Sequence, residues 1–210
     1  MDRKVTNHDM LKSRISAVAL TVVVMAAGVP GTAAAKPSKP QFGPAIDPMP
    51  GYEGQRKCSP AAKPGVERFR NLVMRAYPGT GYGSIGRPCS SGGTSEHKEG
   101  RAWDWGINAR NASQKRAAED LFEWLFAKDS YGNSNAMVRR LGVMYIIFNR
   151  RIWFPGGGWR VYCKQKPRGC VAPGDGGLRH PHDDHVHFSF TWKGAMKRAT
   201  YRGVRGHAER

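Results

Sequence analysis

No two cysteines in this 210-residue chain stand in the Cys-x-x-Cys spacing of a thiolate metal site, so Cys58, Cys89, Cys163 and Cys170 do not read as metal ligands. Nor does any apolar run reach the roughly 20 residues that a membrane-spanning helix needs. The longest, from Ile15 to Val29, has 15. It follows Arg3, Lys4, Lys12 and Arg14 and precedes Ala33-Ala34-Ala35, so residues 1–35 read as a secretory signal peptide, with no transmembrane anchor left after cleavage. Acidic residues are scarce, 16 against 34 Lys and Arg. Removing the four basic and two acidic residues of positions 1–35 leaves +16 of the formal +18. Such a surface attracts polyanions, whether anionic polymers, lipid headgroups or nucleic acid, or serves simply as a solvated basic face.

Export places the four cysteines in an oxidising environment, where two disulfides are the default. Three pairings are open; the favoured one joins Cys163 to Cys170 across a short loop containing Gly and Pro, and Cys58 to Cys89. Residues 36–57 are rich in Pro and Gly without apolar periodicity, and predict a linker or surface-hugging arm that carries no chemistry. The folded domain is expected over 58–196, with a basic, frayed tail at 197–210.

Within that domain Pro64 opens a helix whose apolar positions Val66, Phe69, Leu72, Val73 and Ala76 recur at helical spacing until Tyr77-Pro78-Gly79. A second helix is expected over about 112–128, with Ala117, Leu121, Trp124 and Leu125 as its buried stripe and Asn111 or Ser113 as cap. Strand-like runs occupy 102–107, 143–149, 151–154 and 185–190, and 154–181 reads as a Gly-rich loop. Helices and strands mixed in no regular βαβ order predict an α+β domain, an antiparallel sheet with helices packed on one face. The tryptophans on these strands read as core, with a ligand groove as the alternative.

Two segments carry chemistry: Ser95 to Trp105 (SEHKEGRAWDW) and His180 to Phe190 (HPHDDHVHFSF). In the first, Gly100 can turn the chain so that His97, on a loop, returns over a strand on which Ala102, Asp104 and Gly106 share one face. In the second, His185, His187 and Ser189 share one strand face, while Val186, Phe188 and Phe190 supply the core. Alternate strand residues stand about 6.5–7 Å apart, so one histidine can ligate a metal while the other sits a substrate's width away. Two imidazoles and a carboxylate leave a fourth position of tetrahedral zinc open, as catalytic sites do. His180 and His182 read as neighbouring or loop residues.

The pattern Ser-x-His-x-x-Gly-x-Ala-x-Asp, present from Ser95 to Asp104, with the later His185-Val186-His187, resembles the zinc D-alanyl-D-alanine carboxypeptidase and L-alanyl-D-glutamate endopeptidase family, within the hedgehog/DD-peptidase fold. The resemblance implies Zn²⁺ held by His97, Asp104 and His187, with His185 stabilising the oxyanion of a tetrahedral intermediate. It further implies Asp184 as general base, beside Asp183, and Arg87 and Ser95 on the substrate, with Arg150 or Arg151 as alternatives to Arg87. The implied substrates are peptidoglycan stem peptides, with anionic wall polymers as further partners and no specific nucleic acid. A zinc-containing wall-binding module without turnover and a basic secreted nuclease are the rival readings.

Overall fold

The computed structural model describes residues 36–38, 40–162 and 181–201. Five strands form one antiparallel sheet in the order β1-β5-β2-β3-β4: β1 (Ala102–Gly106), β2 (Val143–Phe148), β3 (Arg151–Phe154), β4 (Gly158–Val161) and β5 (His185–Phe190). The helices are α1 (Pro64–Ala76), α2 (Ala112–Phe126), α3 (Ala136–Leu141) and α4 (Trp192–Ala195), with a 3₁₀ turn at Glu96–Glu99. The α+β expectation therefore holds. None of the described helices is long and apolar enough to cross a membrane.

Strand alternation decides the two faces of the sheet. Trp103, Trp105, Val186, Phe188 and Phe190 all turn to one side and are fully buried. Pro64 sits at the start of α1, where a missing N–H costs nothing. The helix lays Val66, Phe69 and Val73 on that apolar face. Phe69 meets Trp103, Phe188 and Phe190 edge-on at ring distances of 5.8, 5.0 and 5.4 Å. The second helix buries Ala117, Leu121, Trp124 and Leu125 in the same core. Its cap is Asn111, whose side-chain oxygen accepts from the Ser113 and Gln114 N–H groups. The opposite face of β1 and β5, bearing Asp104, His185, His187 and Ser189, is thereby left for other work.

Two glycines allow backbone to pass close to that face. Gly83, at φ +54°, lies where a Cβ would fall 1.4 Å from the Asp104 carbonyl oxygen. Gly100, at φ +63°, caps the 3₁₀ turn, and a Cβ there would fall 2.0 Å from the Ala61 carbonyl oxygen.

Three expectations require correction. His97 lies in the 3₁₀ turn rather than on a loop, because Ser95 and Glu96 carbonyls accept from Lys98 and Arg101 and wind the chain tightly before β1. The stretch after Phe154 contains β4, which pairs with β3 across four registered positions. The chain also stays packed beyond Met196, since Ala199 and Tyr201 are buried and Tyr201 meets Phe42 at 5.5 Å. The pairing of Cys163 with Cys170, His180 and the tail beyond Tyr201 lie outside the described residues.

Residues 40–57 hug this surface through polar clamps. Buried Asp47 accepts from the Thr200 backbone and hydroxyl and from Lys193. Arg140, also buried, donates to the Ala45 and Gly43 carbonyls and to Asp129. Further along, Glu99 accepts from the Arg56 and Lys57 N–H groups, both at 2.9 Å, and pairs with fully buried Arg101. Burial pushes the Glu99 carboxyl up, but these backbone donors and the Arg101 guanidinium outweigh it and hold the group below its ordinary value.

Cys58 and Cys89 are joined, as expected, closing a separation of 31 residues between the arm and the approach to Arg87. Replacing both by Ser should lower the unfolding free energy by about 2–4 kcal/mol in urea titration, the usual range for a loop of this size. An unchanged midpoint would show that the bridge does not restrain the unfolded chain.

Candidate metal centre

The antiparallel register of β1 and β5 sets Asp104 directly opposite His187. His187 Nδ1 lies 2.9 Å from Asp104 Oδ1, and His97 Nε2 lies 3.1 Å from the same oxygen and 3.2 Å from His187 Nδ1. One ligand atom from each residue falls within 4.8 Å of the others. The sequence placed these three together, and the structure does so.

The chemistry of this donor set fits a divalent cation. His97 Nδ1 lies 2.7 Å from the Ile85 carbonyl oxygen, to which it can only donate. Nε2 therefore meets Asp104 and His187 either with a second proton or with a bare lone pair. A cation satisfies all three donors at once, and a ring N–H held by a backbone carbonyl is the usual support of a ligating imidazole. Burial pushes His187 below the ordinary imidazole value against the pull of Asp104, so the ring favours the neutral form that ligates. Burial would raise the Asp104 carboxyl, but hydrogen bonds from His187 and His97 overcome it and hold the group well below the usual carboxylate range.

A cavity of about 580 Å³ opens over this set, lined among others by Arg87, Ser95, Glu96, Tyr145, Tyr162, His182 and His185. Arg87 is thus the arginine the structure brings to the site; neither Arg150 nor Arg151 is among the described residues that line it. The Arg87 N–H donates to the His97 carbonyl at 3.2 Å, which ties its position to the 3₁₀ turn. Ser95 donates its N–H to the Gln55 side chain at 2.7 Å, so the arm holds one of the residues that line the cavity.

His185 Nε2 stands 3.6 Å from Asp104 Oδ1, and its Nδ1 lies 2.7 Å from Asp184 Oδ1. The ring thus bridges the donor set and Asp184. The Asp184 side chain is 67 % exposed and does not line the cavity, a placement that its spacing from His187 did not foretell. Asp183 turns outward to Arg110 at 3.1 Å.

The turn joining β2 to β3 fixes another histidine. Asn149 and Arg150 both have positive φ, the two-residue geometry that suits hairpin twist. Their N–H groups donate to the His182 and Pro181 carbonyls at 2.6 and 2.8 Å. His182 is consequently buried, with its ring 4.7 Å from His185 and 5.9 Å from His187.

Glu96 and Tyr145 are site residues that sequence reasoning missed. Both line the cavity, and the Tyr145 hydroxyl donates to Glu96 Oε2 at 2.5 Å. The available signal for Glu96 was its place beside His97 in a tight turn; Tyr145 carried none, because it sits in an apolar strand run.

Fold and site together define an α+β domain with a His-Asp-His donor set, Asp104 and His187 from the sheet and His97 from the 3₁₀ turn, beneath an open cavity. Residues 58–172 match the family described as VldE, C-terminal domain, and the chain belongs to that family. The matched span holds His97 and Asp104 and ends before β5, which supplies His187. No curated protein matches the chain, and no solved structure does.

Zinc titration with thermal unfolding checks the donor set. At about 100 times its dissociation constant zinc should stabilise the fold by roughly 2.7 kcal/mol. His97→Ala, Asp104→Ala and His187→Ala should each abolish that gain, and a gain retained in all three would place the metal elsewhere.

Proposed function

We propose that this protein is a secreted zinc-dependent peptidase that hydrolyses amide bonds in peptidoglycan stem peptides. The observation that carries the reading is the convergence of His97, Asp104 and His187 on one point beneath an open cavity, with His185 beside them. Bound there, Zn²⁺ supplies Lewis acidity that polarises an amide carbonyl and lowers the pKa of water.

The chain's own residues complete the chemistry. Asp184 takes the proton of the attacking water and returns it to the leaving amine as the C–N bond breaks. His185, whose Nδ1–H donates to the Asp184 carboxylate, presents Nε2 towards the donor set, where the doubly protonated ring donates a hydrogen bond to the oxyanion that develops on the carbonyl. Arg87 binds a substrate carboxylate or carbonyl at the cavity wall, for which a planar guanidinium is suited, and Ser95 lines the same wall. The basic surface draws the enzyme to anionic wall polymers. Residues 1–35 act as the cleaved leader, which agrees with the Cys58–Cys89 disulfide.

The exposure of Asp184 favours one rival, a zinc-containing wall-binding module without turnover. Digestion of purified peptidoglycan separates the two. The proposed enzyme releases new amines and altered muropeptide masses, loses this activity to chelator and regains it with zinc. Asp184→Ala should lower the rate by about 10²–10⁴-fold, the usual share of a general base. Wall binding by zinc-loaded wild type with no released amine would establish the binding module instead.

A further inference from the structure

Behind His187, on the side away from Asp104, runs a polar chain buried in the wall of the cavity. His187 Nε2 lies 2.8 Å from Ser189 Oγ, and Ser189 Oγ lies 3.4 Å from Glu96 Oε2. Glu96 is 3 % exposed and Ser189 fully buried. The same Glu96 oxygen accepts the Tyr145 hydroxyl, and the Tyr145 ring stacks on His187 at 5.5 Å and 19°.

The direction of hydrogen bonding along this chain decides how His187 can act. A carboxylate accepts and cannot donate, so a Ser189 hydroxyl that serves Glu96 turns its proton away from His187. Ser189 Oγ is then an acceptor, and it takes the proton of Nε2. A neutral ring protonated at Nε2 has its lone pair on Nδ1, the atom that faces Asp104 and His97. In the opposite arrangement Ser189 donates to Nε2, Nδ1 carries the proton, and the ring cannot ligate from the side that faces its partners.

We propose that Glu96, acting through the Ser189 hydroxyl, is the positioning residue that turns the Nδ1 lone pair of His187 to the metal. The inference rests on the metal-centre reading and extends it to a carboxylate and a hydroxyl that do not themselves ligate. Tyr145 assists from the other side, because its phenol, raised well above its ordinary value by burial and by Glu96, stays a donor to the same carboxylate.

Zinc affinity by chelator competition on the full chain tests this, with the absorption spectrum of the cobalt(II) form as a report on ligand geometry. Glu96→Leu and Ser189→Ala should each weaken zinc by about 10–100-fold, the usual effect of losing an outer hydrogen-bond partner, and shift the cobalt bands. Glu96→Gln, which keeps an acceptor oxygen, should restore most of the affinity. The double variant Glu96→Leu/Ser189→Ala should bind no more weakly than the weaker single one, since both break one chain. Wild-type affinity and an unshifted spectrum in Glu96→Leu and Ser189→Ala, beside zinc-binding wild type, would overturn the positioning role alone. Wild type that binds no zinc would overturn the metal centre and this role with it.

Discussion

The pairing of β1 with β5 is the constraint on which the rest depends. In an antiparallel pair, residues directly opposite bring their side chains to the same face, and Asp104 stands opposite His187. A slip of one residue would send Asp104 into the core and Trp103 or Trp105 into the cavity. The register is held by what lies on the other face. Trp103, Trp105, Val186, Phe188 and Phe190 are buried in the core to which α1 contributes Phe69, and burying such side chains stabilises by about 1.5–3 kcal/mol each. Hydrophobic packing on one side of the sheet thus pins the polar geometry on the other.

A second restraint acts on His97, which belongs to neither strand. The 3₁₀ turn that carries it ends at Gly100, where positive φ and contact with Ala61 leave no room for a side chain. From there Arg101 enters a buried pair with Glu99 and also donates to the Phe190 carbonyl, linking the turn to the far end of β5. Removing one partner of such a pair leaves a buried charge uncompensated, so turn and strand are coupled. The arm closes this arrangement, because the Arg56 and Lys57 amides and the Gln55 side chain bind Glu99 and Ser95.

Much of this was legible in the sequence, for identifiable reasons. Period-two alternation in 102–107 and 185–190 separated cavity-facing from core-facing residues, and the helical recurrence of Val66, Phe69 and Val73 identified α1. What was not legible depended on tertiary contacts. The four-residue β4 exists through pairing with β3, and its Gly-Trp-Arg-Val run, directly after Gly156-Gly157, is too short for the alternation of Trp159 and Val161 to stand out from a turn. Burial of Ala199 and Tyr201 depends on Phe42 and Asp47, far away in sequence. Spacing from His187 could not tell where the Asp184 carboxylate points, and it turns to the His185 ring. Glu96 gave little sign of burial because a carboxylate is ordinarily exposed, and here Tyr145 and Ser189 stabilise it inside.

Zinc K-edge X-ray absorption on the purified, zinc-loaded protein reads the ligands that His97, Asp104 and His187 would supply. The expected spectrum is that of a four-coordinate ion with multiple scattering from two imidazoles and nitrogen or oxygen ligands at about 2.0–2.2 Å. A spectrum without imidazole scattering, or one dominated by sulfur at about 2.3 Å, would contradict it.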